Sequence, residues 1–160
     1  SQALWTQVAT EAHAAGIAYK LSHSQLLVPE ECDFYGDIIF QDEMKHARMC
    51  KEIARQLGPQ VTIDPAMFNE YGDLERIVSM VTVERAFSYG MEKTLVFWGQ
   101  YGFREQFIKI DQDEQPHIAH GRKVLKRLMP EYAPQIQAYR KQALRNFRRE
   151  LMDPFVDILA

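Results

Sequence analysis

The sequence predicts an all-α chain: a four-helix bundle with one long connection in the middle and an additional helix near the C-terminal end. Three observations predict it. Apolar residues recur with a period near 3.6 over long stretches and seldom alternate as they do in strands. Breaks are few: Pro29, Gly58 with Pro59, Gly99 with Gly102, and Pro130 with Pro134. A stretch without helical period, 59–72, separates two pairs of helical stretches, which is the pattern of two hairpins joined by a crossover.

The elements follow in order. The first helix covers about 3–25, with the stripe Leu4, Val8, Glu11, Ala14 or Ala15, Ala18 and Leu21. The second covers about 29–58. Pro29 suits a first-turn position and Gly58 a stop. Its stripe reads Cys32, Tyr35 or Gly36, Ile39, Glu43, His46, Cys50, Ile53 and Leu57. The third runs from Asp73, a good N-cap, to Trp98; its stripe is Ile77, Met80 or Val81, Glu84, Phe87, Met91, Leu95 and Trp98. The fourth fills about 104–129 with Ile110, Glu114, His117, Gly121, Val124 or Leu125, and Leu128. The fifth is expected over about 132–152.

Length and composition set the frame. The 160 residues make one domain, 1–160, with the bundle over about 3–129. Apolar residues are 46% and charged residues 26%, ordinary for a globular chain. No apolar run reaches the roughly 18 residues that a membrane span needs, and no signal peptide is visible. Cys32 and Cys50 imply no disulfide framework, so a reducing, cytoplasmic setting is expected. The net charge of −3 hides an uneven distribution. Between Arg122 and Arg149 there are nine basic residues and one acid, Glu131. That is either a solvated helix face or a docking surface for an acidic partner such as an acyl carrier, a coenzyme tail or RNA.

The chemistry lies in an echo, Asp-Glu-x-x-His, at Asp42-Glu43-Met44-Lys45-His46 and again at Asp113-Glu114-Gln115-Pro116-His117. Residues three apart share a helix face, so each Glu and His can grip one metal together. Carboxylate plus imidazole suits iron, manganese or zinc. Glu43, His46, Glu114 and His117 interrupt otherwise apolar stripes, and Glu11 and Glu84 do so on the other two helices. A lone buried carboxylate costs several kcal/mol unless it is paired or binds a cation. In an antiparallel hairpin, residues at one height are equally far from the turn. The midpoint of Glu11 and Glu43 is position 27, beside Pro29; that of Glu84 and Glu114 is Gly99. Metal-bound histidines usually donate their other ring N–H to a carboxylate. Asp42 is therefore expected to orient His117, and Asp113 to orient His46.

This inventory resembles the ferritin-like diiron carboxylate superfamily, which includes rubrerythrins, the ribonucleotide reductase small subunit, multicomponent monooxygenase hydroxylases and aldehyde-deformylating oxygenases. The match covers about 3–129. The resemblance implies Glu11, Glu43, His46, Glu84, Glu114 and His117 as ligands, with Glu43 and Glu114 bridging two iron ions, or manganese or a mixed pair. Asp before both motifs is similar to the oxygen-activating, non-storage members. Ser88, one turn after Glu84, stands where hydroxylases carry a catalytic hydroxyl. No rubredoxin-type Cys pair is present. Pro116, inside the second motif, implies either that the fourth helix starts near Asp113 or that it is kinked or bulged there.

The expected activity is an oxygen-dependent diiron oxidoreductase, a monooxygenase or oxidase. It would take dioxygen or peroxide, a small organic or carrier-bound substrate and an external electron donor, and a homodimer is the class expectation. A ferroxidase or rubrerythrin-like peroxidase is one alternative, and a metal-free helical interaction module another.

Overall fold

A computed structural model describes residues 2–63 and 72–152, and these are helical with no strand among them. Helix α1 is Gln2–Leu21. Helix α2 (29–57) has three parts: an α-helical turn Pro29–Asp33, a π-helical segment Phe34–Ile39, and the α-helix Phe40–Leu57. Helix α3 is Asp73–Tyr89 and α4 is Met91–Gly99. Helix α5 is Arg104–Phe147, continuing into a π-helical turn, Arg148–Met152. Of the expected crossover, 59–63 and 72 lie outside any described helix core, and 64–71 lie outside the described residues. Among the described residues no helix is long and apolar enough to cross a membrane.

Local chemistry accounts for the boundaries. Pro29 opens α2, and Glu31 Oε1 accepts from the Val28 N–H at 3.0 Å, satisfying a donor the first turn leaves open. At the other end the Gly58 N–H donates to the Ala54 carbonyl, and Pro59 prevents continuation. The turn before α5 needs Gly102, whose φ of 81° lies in the left-handed region.

Three elements differ from expectation. The first helix stops at Leu21, not near 25. The third breaks at Gly90 (φ −86°, ψ 1°), so 73–98 forms α3 and α4. The helix expected over about 132–152 is present, but it is joined to the one before it across a kink at Tyr132 rather than set off by a loop, and it ends in the π-helical turn. Pro130 and Pro134 bracket Tyr132, the only non-helical residue inside α5 (φ −122°, ψ 17°). These prolines remove backbone donors and crowd the preceding turn, which kinks the helix there. The chain does not leave the core, because Ile136, Ala143 and Phe147 are buried beyond the kink. Pro116 does not delay the start: α5 begins at Arg104 and keeps helical dihedrals through the motif.

The buried apolar residues form two clusters. One joins Ala14–Leu21 of α1, Tyr35 and Ile39 of α2, Ile77–Val83 of α3, and Val124–Leu128 with Ile136 and Phe147 of α5. The other joins Leu4 and Trp5, then Cys50, Ile53 and Ala54, then Met91, Phe97 and Trp98, then Phe107 and Ile110. The end of α1 thus shares a cluster with the start of α2, so the two run antiparallel; the same holds for α3 with α5. On α1, α2, α3 and α5 the buried ionisable residues fall between the two clusters: Glu11, then Glu43 and His46, then Glu84, then Glu114 and His117. All six are buried.

Gly121 sets the approach of α3 to α5. A Cβ there would lie 2.1 Å from Val81 Cγ2. Val81 is itself buried and β-branched, with little freedom to move aside. Gly121→Ala is therefore expected to destabilise the fold by about 1–3 kcal/mol despite its better helix propensity. Adding Val81→Ala should recover most of that loss, because the new methyl fills the space vacated. Urea unfolding of the two variants checks this, and a Gly121→Ala protein as stable as the parent would contradict it.

Candidate metal centre

The six interrupting residues converge on one point between the two apolar clusters. Glu11, Glu43, His46 and Glu114 each present a donor atom within 4.8 Å of the others, and so do Glu43, Glu84, Glu114 and His117. Glu43 and Glu114 belong to both sets. His46 Nδ1 lies 3.3 Å from Glu114 Oε1 and 3.6 Å from both Glu11 Oε2 and Glu43 Oε2. His117 Nδ1 lies 3.2 Å from Glu43 Oε1, 3.4 Å from Glu114 Oε2 and 3.8 Å from Glu84 Oε1.

The outer ring nitrogens are held by the aspartates of the opposite motifs. His46 Nε2 is 2.9 Å from Asp113 Oδ2, and His117 Nε2 is 2.9 Å from Asp42 Oδ2. An ionised carboxylate only accepts, so Nε2 donates a proton in each bond and Nδ1 is the ring nitrogen that faces the glutamates. Asp113 is ion-paired with Lys45 at 3.1 Å and Lys109 at 3.0 Å. Partial burial works against its charge, but His46 and these lysines hold its carboxyl well below the usual range. Lys45 also reaches Asp42 at 3.6 Å.

The electrostatics of the centre are unbalanced. Burial, with Glu114 and Glu11 nearby, pushes Glu43 well above its ordinary value, and burial with Glu114 and Glu43 does the same to Glu84. Burial opposes charge on His117, yet the close carboxylates of Glu114 and Glu43 lift it to about 11. His46 is raised as well, by Glu11 and Glu114 against the effect of burial. Glu114 is lowered, because His117 and His46 outweigh its burial. Among the described residues, protonated histidines are thus the positive charge that these glutamates meet in the metal-free protein.

The donor set passes a direct test of fit for metal. Glu43 Oε1, Glu84 Oε1, Glu114 Oε2, His46 Nδ1 and His117 Nδ1 are all buried and lack a hydrogen-bond partner. Buried polar atoms left unpaired cost about 1–3 kcal/mol each, so five aimed at one point call for a ligand. Two divalent cations would balance the four glutamates, and oxygen with imidazole nitrogen suits iron, manganese or zinc.

Sequence reasoning missed several contributors. Gln7, one turn before Glu11, donates to Glu11 Oε1 at 2.7 Å and fixes that carboxylate. A polar residue four before the glutamate on a buried face was the available signal. Lys45 and Lys109 clamp Asp113 from outside. A cavity of about 30 Å³ adjoins the centre, bounded by Glu11, Glu43, Glu84, Glu114 and the apolar Met80, Val83 and Phe87. Ser88 does not line it; its hydroxyl accepts from Gln115 Nε2 at 3.0 Å. His120 stands outside the centre, stacked on Phe34 at 4.2 Å and edge-on to Tyr35 at 5.1 Å.

Comparison with protein-family models, with curated proteins and with solved structures finds no match to this chain.

Proposed function

We propose that the protein is a ferritin-like four-helix bundle holding two iron ions, and that it is an oxygen-dependent diiron oxidoreductase acting on a small organic or carrier-bound substrate. The observation that carries this reading is the sharing of Glu43 and Glu114 between two buried Glu/His donor sets whose inward atoms lack partners. Glu11 with His46 would hold one ion, Glu84 with His117 the other, and Glu43 and Glu114 would span both. Manganese or a mixed pair suits the same donors.

When bound, the metal pair supplies reducing equivalents to dioxygen and a strong oxidant for the substrate. The chain's own part is separate. Asp42 and Asp113 keep the histidine protons on Nε2, so that Nδ1 stays free to ligate. Gln7 restrains Glu11, while the inward oxygen of Glu84 has no such restraint and leaves room for that carboxylate to shift. The apolar clusters on either side exclude water. The electron donor is external, and a homodimer remains the expectation for this class.

One observation favours a second reading, in which the protein is a ferroxidase or a rubrerythrin-like peroxidase. The cavity beside the centre is small, about 30 Å³, which suits dioxygen or peroxide. The two readings separate in one experiment. The protein is loaded anaerobically with ferrous iron, its metal content is measured, and oxygen is added while absorbance is followed by stopped flow. About two irons per chain and a transient absorbing species are expected. Oxidation of ferrous iron far beyond the bound amount would favour the iron-handling reading. Zinc in place of iron would end the diiron reading, and no metal uptake at all would leave a metal-free interaction module.

A further inference from the structure

The outer side of the α3–α5 pair carries a second feature. A straight helix would place Leu144 roughly 33 Å from Arg122 along its axis. Both line the same groove of about 850 Å³, together with Val81 and Arg85 of α3. The kink at Tyr132 therefore brings the distal part of α5 back beside α3, and three helical walls enclose the groove. Its volume is within the range of sites that take cofactor-sized ligands.

The lining has two parts. Val81, Ala86, Leu125, Met129 and Leu144 make an apolar floor, and Arg85, Arg122, Lys123, Lys126 and Arg140 stand around it. Among the described residues no carboxylate pairs with any of these five cations. Two cations of the same helix on its other faces are paired, Arg127 with Glu31 and Lys109 with Asp113, whereas Lys141, also outside the groove, has no acidic partner among the described residues. Arg85 makes only a hydrogen bond and a face contact with Tyr89, itself 81% exposed. A merely solvated basic face needs no apolar floor, and a merely apolar groove needs no ring of unpaired cations.

We infer that this groove binds a small amphipathic anion, a phosphorylated molecule with an apolar tail, its phosphate held by the Arg122–Lys126 side and its tail lying on the floor toward Leu144. Arginine and lysine match a phosphate, and burial of a tail adds affinity that charge alone does not supply. The inference stands apart from the metal centre, since Glu84 and His117 lie on the inward faces of the same helices and none of the six donors lines the groove.

Decyl phosphate, kept below its micellar concentration, is the probe, titrated calorimetrically into the full chain. One site is expected, bound at least tenfold more tightly than inorganic phosphate; about three methylenes on the floor suffice for that ratio. Arg122→Glu with Lys126→Glu should weaken it at least tenfold, about what the loss of one strong charge-assisted contact costs. Leu144→Asn should weaken decyl phosphate and leave inorganic phosphate unchanged. All three positions are exposed, so the variants should keep their fold, which circular dichroism checks. Inorganic phosphate or a short RNA binding as tightly as decyl phosphate, with no response to Leu144→Asn, would show a charge-only surface and overturn the inference. So would decyl phosphate binding that ignores the charge reversals.

Discussion

Glu114→Ala is expected to cost the protein both metal ions, whereas Glu11→Ala and Glu84→Ala are each expected to cost one. The difference follows from membership: Glu114 belongs to both donor sets, Glu11 only to the His46 set, and Glu84 only to the His117 set. Removing a hydrogen-bond partner of a ligand typically costs ten- to a hundredfold in metal affinity. Losing a shared ligand should exceed that at both positions, leaving well under one ion per chain after dialysis. Glu43→Ala should behave like Glu114→Ala. Metal analysis of the five proteins, parent included, gives the pattern directly. Equal losses for Glu11→Ala and Glu114→Ala would mean one mononuclear site and remove the reason for assigning a bridging role.

Helical periodicity and the interrupting Glu and His residues made much of the arrangement readable beforehand. A glutamate on an apolar stripe conflicts with burial unless something pairs with it, so Glu11 and Glu84 could be selected without a structure. The hairpin midpoints near Pro29 and at Gly99 then placed the residues at one height. What was not readable depended on packing between distant segments. Pro130 and Pro134 have the local character of a stop, but buried Ile136 and Phe147 keep the distal segment helical and against the core. Gly90 is tolerated inside many helices, and nothing local marks the break there. The π-helical segment Phe34–Ile39 inserts one extra residue before the first motif, where Gly36 passes 3.1 Å from Ser22 Cβ by the position its own Cβ would take. Gln7 and Lys109 act through geometry that spacing alone does not reveal.

Metal is expected to reverse the pH dependence of stability, and Glu84→Gln should expose the reason. In the metal-free protein the folded-state values of Glu43 and Glu84 are raised above the ordinary 4.5. The folded state therefore holds protons that the unfolded chain has released, and stability falls as pH rises above that value. His117, at about 11 against an ordinary 6.5, acts with the same sign: its contribution is present below pH 6.5 and is lost as pH climbs toward 11. Asp113 and Glu114, whose values are lowered, contribute in the opposite sense, but only at pH below their ordinary values. Between about pH 5 and 9 the metal-free protein should thus lose melting temperature steadily. With metal bound, the same carboxylates and imidazoles must be deprotonated to ligate, so rising pH favours loading and the melting temperature should rise instead. Saturation at a thousandfold above the dissociation constant adds about 4 kcal/mol, a large part of a typical domain's stability. Glu84→Gln removes one of the buried acids without changing its shape. It should flatten the decline and raise the metal-free melting point at neutral pH while weakening loading, because a group that harms the empty fold is retained for what it holds. Thermal melts across that pH range, with and without ferrous iron under nitrogen, test all three statements. A Glu84→Gln protein that melts lower when metal-free would mean that Glu84 supports the fold itself, and the case for it as a ligand would lose its energetic basis.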